Sequence, residues 1–118
     1  MIESIYETLF KPASEEDVKQ RRAGLFKELH AVADFVIDES KRHLSDPSYP
    51  KPYSQSVRIL KHVELIMDRL GDMVTGDVIS IDAFSVARSV MPRNHTQTRQ
   101  YLQGANKFGE WIKRNITQ

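Results

Sequence analysis

The sequence predicts a single all-α domain of five helices, with a long amphipathic helix near the N-terminus and a helix-turn-helix at the C-terminal end. Three observations lead to this fold class. Apolar residues recur at three- and four-residue spacing in five segments, as they do on one face of a helix. Polar caps, glycines and prolines separate these segments. The chain has 118 residues, the length of one domain with one modest core.

The composition is that of an ordinary soluble protein, with 40% hydrophobic and 28% charged residues. No run of 18 apolar residues occurs, and the first residues carry Glu3 and Glu7 instead of a basic, then apolar, export signal. We therefore expect a cytoplasmic protein that has no membrane partner. The chain contains no cysteine, which excludes disulfides, thiol nucleophiles and cysteine-ligated zinc.

The first two helices are predicted from apolar spacing and capping residues. Residues 2–10 place five apolar side chains on one helical face, and Pro12 ends this segment. Ser14 is a good N-cap for a second helix, because three carboxylates follow in its first turn. This helix is expected to run to about Leu44. Gly24 within it predicts a close approach by another backbone.

The long helix carries an apolar stripe at near-heptad spacing. The stripe consists of Leu25, Leu29, Val32 and Val36. Such a stripe needs a partner, so we interpret residues 1–44 either as a support for the rest of the domain or as a homodimer interface. Pairing two modules over a symmetric site would raise affinity without new chemistry.

A connector and a third helix follow. Residues 45–53 contain three prolines and are expected to be extended. The third helix is predicted from about Ser54 to Leu70, with Gly71 as its C-terminal stop.

The last two helices are predicted on either side of a proline-containing turn. Ser80 can cap the fourth helix, which must end near Met91 because the next residue is proline. The fifth helix is expected to start with Asn94 or Thr96 as its cap and to end at Gly109. Glu110 and the four residues after it follow either as a further helical turn or as a short strand.

Charge is distributed unevenly along the chain. Residues 1–82 hold 15 Asp and Glu against 11 Lys and Arg, whereas residues 83–118 hold one against six. The two parts therefore carry about −4 and +5, which together give the net charge of +1. No carboxylate occurs from Ala83 to Gly109. This asymmetry indicates a nucleic acid or another polyanion as the partner of the C-terminal part.

The C-terminal part of the chain also carries a recognisable order of elements. It has Ser-Ile-Asp-Ala-Phe at 80–84 entering one helix, Ala87 at the helix crossing, Thr-Arg-Gln-Tyr-Leu at 98–102, and Lys-Phe-Gly at 107–109. Over residues 54–118 this order resembles the helix-turn-helix of the winged-helix DNA-binding superfamily. Too few residues follow for a full two-stranded wing, so a vestigial β wing is expected.

The resemblance implies that the helix at 96–108 reads duplex DNA in the major groove. Glutamine can pair with adenine and arginine with guanine, while cations near the helix ends meet phosphates. The side chains expected to contact DNA are Arg93, His95, Gln97, Arg99, Gln100, Gln103, Lys107, Lys113 and Arg114. Such a protein would be a transcriptional regulator or an accessory factor for replication, partition or transfer.

Two other functions are compatible with the same residues. One is nonspecific or RNA binding through the same basic face. The other is a helical protein–protein interaction adaptor with no nucleic-acid role, which would use the apolar stripe or the region of Trp111.

Catalysis and a cofactor are not expected. The chain has no nucleophile elbow and no glycine-rich phosphate loop. Its histidines are His30, His43, His62 and His95. They lack the spacing with a carboxylate that a metal site shows, so the chain is predicted to be neither an enzyme nor a metal protein.

Overall fold

A computed structural model describes residues 14–46, 52–95 and 98–118. Within these ranges the chain forms four α-helices and no strand. They are α1 (Glu15–Ser45), α2 (Pro52–Thr75), α3 (Ile81–Val90) and α4 (Thr98–Asn115). The all-helical fold class is confirmed. The helix predicted over residues 2–10 and most of the proline-containing connector lie outside the described residues, so a fifth helix is not confirmed.

Helix α1 packs against α2 in antiparallel orientation. Near the middle of α1, Glu28 Oε1 accepts a hydrogen bond of 2.9 Å from Arg69 Nε, in the last third of α2. Further along α1, the Phe35 ring stacks on the earlier α2 residue His62, with ring centroids 4.1 Å apart. Because later residues of α1 meet earlier residues of α2, the two helices run in opposite directions.

Helix α4 packs on α1 more extensively than any other pair of helices, and Gly109 makes this packing possible. A Cβ atom added to Gly109 would lie 2.7 Å from Ile37 Cγ1 and 3.2 Å from the carbonyl oxygen of Ala33. Farther along α4, Lys113 Nζ lies 3.0 Å from Asp34 Oδ1. Helix α4 is therefore also antiparallel to α1, and α2 and α4 run in the same direction.

One core connects all four helices. Its buried apolar side chains are Phe26, Leu29, Ala33 and Val36 of α1, Ile59, Val63, Ile66, Leu70 and Met73 of α2, Ala87 of α3, and Tyr101, Leu102, Ala105, Phe108, Ile112 and Ile116 in and after α4. The short helix α3 contributes least, since only Ala87 is fully buried there.

The predicted N-caps of α1 and α3 and the end of α3 are confirmed, whereas the last helix begins at Thr98, later than a cap at Asn94 predicts. The other predicted cap of that helix, Thr96, lies outside the described residues. Ser14 Oγ accepts from the Asp17 amide at 3.1 Å, and Ser80 Oγ accepts from the Ala83 amide at 3.1 Å. Helix α3 ends at Val90, two residues before the proline. These signals are local, which explains why the sequence predicts them correctly.

The predicted end of α2 is wrong, because Gly71 lies inside the helix, which continues to Thr75. The chain leaves α2 through a C-terminal motif in which the Val78 amide donates to the Met73 carbonyl at 2.7 Å. The residue with left-handed backbone angles is Asp77, with φ of 56°. Aspartate tolerates this conformation better than most residues, so the motif forms there without glycine.

The predicted stop of the last helix at Gly109 is also wrong, because α4 continues through Gly109 to Asn115. Of the two alternatives for Glu110 and the four residues after it, the helical turn is confirmed, and these five residues do not form a β wing. Gly109 accommodates the α1 backbone and does not stop the helix. The close backbone approach predicted at Gly24 is wrong, because no atom lies within 4 Å of a Cβ added to Gly24.

Residues 91–97 connect α3 to α4, a longer connection than the turn of about three or four residues in a helix-turn-helix. Part of this connector packs on α4, because a Cβ atom added to Gly104 would lie 2.9 Å from Pro92 Cβ. The start of the connector therefore packs closely on α4 at Gly104.

Tyr101 places its hydroxyl in the core without a described hydrogen-bond partner. The residue is 1% exposed, and no described residue bonds with its hydroxyl oxygen. Burial, assisted by the charge of Glu64, raises the pKa of Tyr101 far above its usual range. The Ser40 hydroxyl is likewise buried with no described partner. A buried polar group without a partner costs stability.

The substitution Gly109→Ala should lower the free energy of unfolding by about 1–3 kcal/mol, because the added methyl group meets the α1 backbone and forces the helices apart. Gly24→Ala is the matched control. Its Cβ meets no atom, and alanine favours the helix, so it should raise the free energy of unfolding by about 1 kcal/mol. Urea denaturation measures both. Equal effects of the two substitutions would show that the helices do not pack closely at Gly109.

The substitution Tyr101→Phe should raise the free energy of unfolding by about 1 kcal/mol, because it removes a buried hydroxyl and keeps the ring. Ser40→Ala should act in the same direction for the same reason. Thermal and urea denaturation provide the measurement. A loss of stability in the phenylalanine variant would mean that the hydroxyl has a hydrogen-bond partner and that its burial is not a cost.

Candidate nucleic-acid interface

Helix α4 buries one side and exposes the other. The exposed residues Arg99, Gln100, Gln103, Lys107 and Arg114 fall within an arc of about 100° at 100° per residue. We call these five residues the basic face. Its side chains carry hydrogen-bond donors and acceptors but no carboxylate. The predicted outward orientation is therefore confirmed for Arg99, Gln100, Gln103 and Lys107.

The connector before α4 adds two further predicted side chains. Arg93 and His95 are exposed and follow Pro92, which packs on α4 at Gly104. Helix α4 has no acidic residue in its first turn, so nothing there offsets the positive end of the helix dipole. Gln97, which was also predicted to contact DNA, lies outside the described residues.

Ion pairs divide the predicted cations into two groups. Lys113 Nζ lies 3.0 Å from Asp34 Oδ1 of α1, so the carboxylate of Asp34 already neutralises part of the charge of Lys113. In the described parts of the chain, no carboxylate forms an ion pair with Arg93, Arg99, Lys107 or Arg114. Uncompensated positive charge is therefore concentrated on the connector and the outer side of α4.

The first carboxylate after the acid-free stretch also has a partner. Glu110 projects into the same arc of α4 as the basic face, and its Oε1 is 3.6 Å from Lys41 Nζ of α1. This pair reduces the repulsion that a bare Glu110 would exert on an approaching anion. The seam between α1 and α4 is thus nearly neutral, and the side of α4 away from the seam is basic.

Arg88 is a candidate that the sequence prediction did not include. It is exposed near the end of α3, and it forms no ion pair with the described residues. It lies in the same acid-free stretch as the predicted contacts, so the charge pattern was a signal that could have identified it.

The apolar stripe predicted to form a dimer interface lies inside the single chain. Leu29 and Val36 are fully buried, and Leu25 and Val32 are partly buried against the same core. A second copy could reach Leu29 and Val36 only if α2 or α4 moved away. The partner that the stripe needs is therefore supplied by helices of the same chain.

The aromatic residues of α4 are poorly placed for stacking on bases. Tyr101 and Phe108 are fully buried, and Trp111 is half-buried against the core. Contacts made by the basic face would therefore be hydrogen bonds and ion pairs.

Histidines make structural contacts within the bundle. His30 Nε2 bonds with the carbonyl oxygen of Ile116, and His62 stacks on an aromatic ring of α1. The side chain of His43 is buried, and its Nε2 lies 3.3 Å from Glu39 Oε2. Burial lowers the pKa of His43. In the described ranges, no cluster of three or more His, Asp and Glu could hold a metal ion, and no helix is long and apolar enough to cross a membrane.

Comparison of the chain with protein-family models, curated proteins and solved structures gives no significant match. The resemblance to the winged-helix superfamily stays a prediction. A functional assignment therefore depends on the chemistry of the basic face.

Proposed function

We propose that the chain binds duplex DNA through the basic face and the connector before it, as a transcriptional regulator or as an accessory factor for replication, partition or transfer. The observation that carries the proposal is a set of four cations, Arg93, Arg99, Lys107 and Arg114, which form no ion pair with any described residue and lie in a region almost free of carboxylates. A phosphate backbone attracts such a surface and repels the rest of this chain, which is acidic.

The N-terminal half of α4 is the part that suits a groove. Arg99, Gln100 and Gln103 are exposed there, and arginine and glutamine can each form two hydrogen bonds with a guanine or an adenine, worth about 1–3 kcal/mol of discrimination. Arg93 and His95 lie before the helix, where contacts with phosphates would set its position. The ion pair between Lys113 and Asp34 marks the other end of this surface.

The double substitution Arg99→Glu/Lys107→Glu should weaken binding to random duplex DNA by at least about tenfold, because two phosphate contacts become repulsions. For the unmodified protein, the logarithm of the binding constant should fall by about 0.9 for each tenfold rise in salt concentration and for each phosphate contacted. The double variant loses two such contacts, so the steepness of this salt dependence should decrease by about 1.8. Fluorescence anisotropy at several salt concentrations measures both quantities.

The matched control is Arg21→Glu/Lys27→Glu on α1. Both residues are exposed, and the net charge changes by the same amount. Binding should fall far less than in the α4 variant. Equal losses would show that net charge alone attracts DNA, and salt-independent binding by the unmodified protein would contradict an interface built from phosphate contacts.

A second candidate function is that of a protein-interaction adaptor, and α3 provides the specific observation. Ile81 is 68% exposed and Val86 is 49% exposed, so this short helix presents apolar surface to solvent. In an adaptor, these two side chains would contact the partner protein. Absence of DNA binding at low salt, together with an unchanged fold in the α4 variant, would favour the adaptor.

A further inference from the structure

An open cavity of about 450 Å³ lies at the end of the bundle where α1 begins. It is bounded by α1, the chain before α3, the first turn of α3 and the chain after α4. Polar residues make up slightly more than half of its lining, and among the described residues that line it none is acidic. Pockets that hold a small molecule have volumes of about 300–1,000 Å³, so this cavity has the size of a ligand site.

Two cations of α1 line the cavity. Lys19 and Arg22 lie on the side of α1 that faces the core, because they continue the three- and four-residue spacing of the buried Phe26 and Leu29 towards the start of the helix. Both cations are exposed, and neither forms an ion pair with any residue that the structure describes. Positive charge thus takes the place at the cavity that apolar side chains take deeper in the bundle.

Hydroxyl groups add hydrogen-bond donors to the same cavity. Ser80 and Thr117 both line it. The Ser80 hydroxyl oxygen accepts from the Ala83 amide at 3.1 Å, which leaves its O–H available to donate. Cations and hydroxyl donors both stabilise an anion, and the two oxygens of a carboxylate can accept from several donors at once.

The rest of the lining is apolar, and it consists of Phe26, Val78, Ile79, Ala83 and Ile116. Phe26 and Ile116 are buried, and the other three are partly buried against the core. An inorganic anion would leave this surface in contact with water, whereas a ligand with a compact hydrocarbon body would cover it. The lining therefore favours a ligand that combines an acidic group with an apolar body.

The geometry points to a binding site for a small apolar carboxylate: its hydrocarbon body lies against Phe26 and Ala83, and its carboxylate meets Lys19 and Arg22. The Ser80 hydroxyl is a further donor in the same cavity. This site is independent of DNA binding, because no residue of the basic face lines the cavity.

Titration of the full chain with naphthoate, a rigid aromatic carboxylate, tests the site by NMR. The amide signals of Ser80, Ala83 and Thr117 should shift and reach saturation, and those of Arg99 and Lys107 on the basic face should stay in place. Absence of a saturating shift at the three lining residues would overturn the proposal. A shift at the basic face in their stead would overturn it as well.

Two related compounds separate the two parts of the ligand. Acetate carries the carboxylate without the aromatic rings, and naphthylmethanol carries the rings without the charge. Each should bind at least about fivefold more weakly than naphthoate. Acetate of equal affinity would show that the apolar lining plays no part, and naphthylmethanol of equal affinity would show that the cations play none. Either result would overturn the proposal.

The substitution Lys19→Gln/Arg22→Gln should weaken naphthoate binding by about fivefold, because two exposed ion pairs with the ligand are lost. The matched control is Arg21→Gln/Lys27→Gln. Both control residues are exposed on α1 and do not line the cavity, so the same loss of charge should leave binding unchanged. Equal losses in the two variants would show that net charge alone attracts the anion, which would overturn the site.

The substitution Ala83→Leu tests whether the ligand lies inside the cavity. The larger side chain occupies part of the space, so the shifts at Ser80 and Thr117 should disappear. The Tm should stay equal or rise, because the added methyl groups cover apolar surface. Undiminished naphthoate binding by this variant would overturn the proposal. If the variant unfolds, the comparison of the three compounds on the native sequence still decides.

Discussion

The contact between Gly109 of α4 and the α1 backbone at Ala33 is the constraint on which the rest of the structure depends. A helix that approaches another so closely cannot rotate about its axis without a clash. Because Gly109 faces α1, the residues on the far side of α4 must face solvent. Gln100 and Lys107 lie about 160–180° around the helix from Gly109, so the close approach of the two helices turns these side chains outward.

Helix α1 also determines where charge remains available. Its acidic Asp34 neutralises Lys113, and its Lys41 neutralises Glu110. Both pairs lie in the C-terminal half of α4. Since no such pairing with α1 is described for the first half, the same helix that completes the core leaves positive charge on one part of α4. Packing and surface electrostatics are therefore linked through a single central helix.

Features that depend on neighbouring residues could be predicted from the sequence, and features that depend on distant residues could not. The cap at Ser80 and the outward side of α4 follow from local spacing. Gly71 and Gly109 were misassigned because a glycine either ends a helix or admits another backbone, and its neighbours in sequence do not distinguish these roles. The pairing of Lys113 was missed because its partner lies 79 residues away.

The position of the single tryptophan has a practical consequence for spectroscopy. The chain contains one Trp, and Trp111 is half-buried on α4, between the core and the exposed side of the helix. Indole emission depends on the polarity around the ring, so one intrinsic fluorophore monitors the loss of core packing and changes at the outer side of α4. Quenching by a small solute can then follow both events in the unlabelled protein.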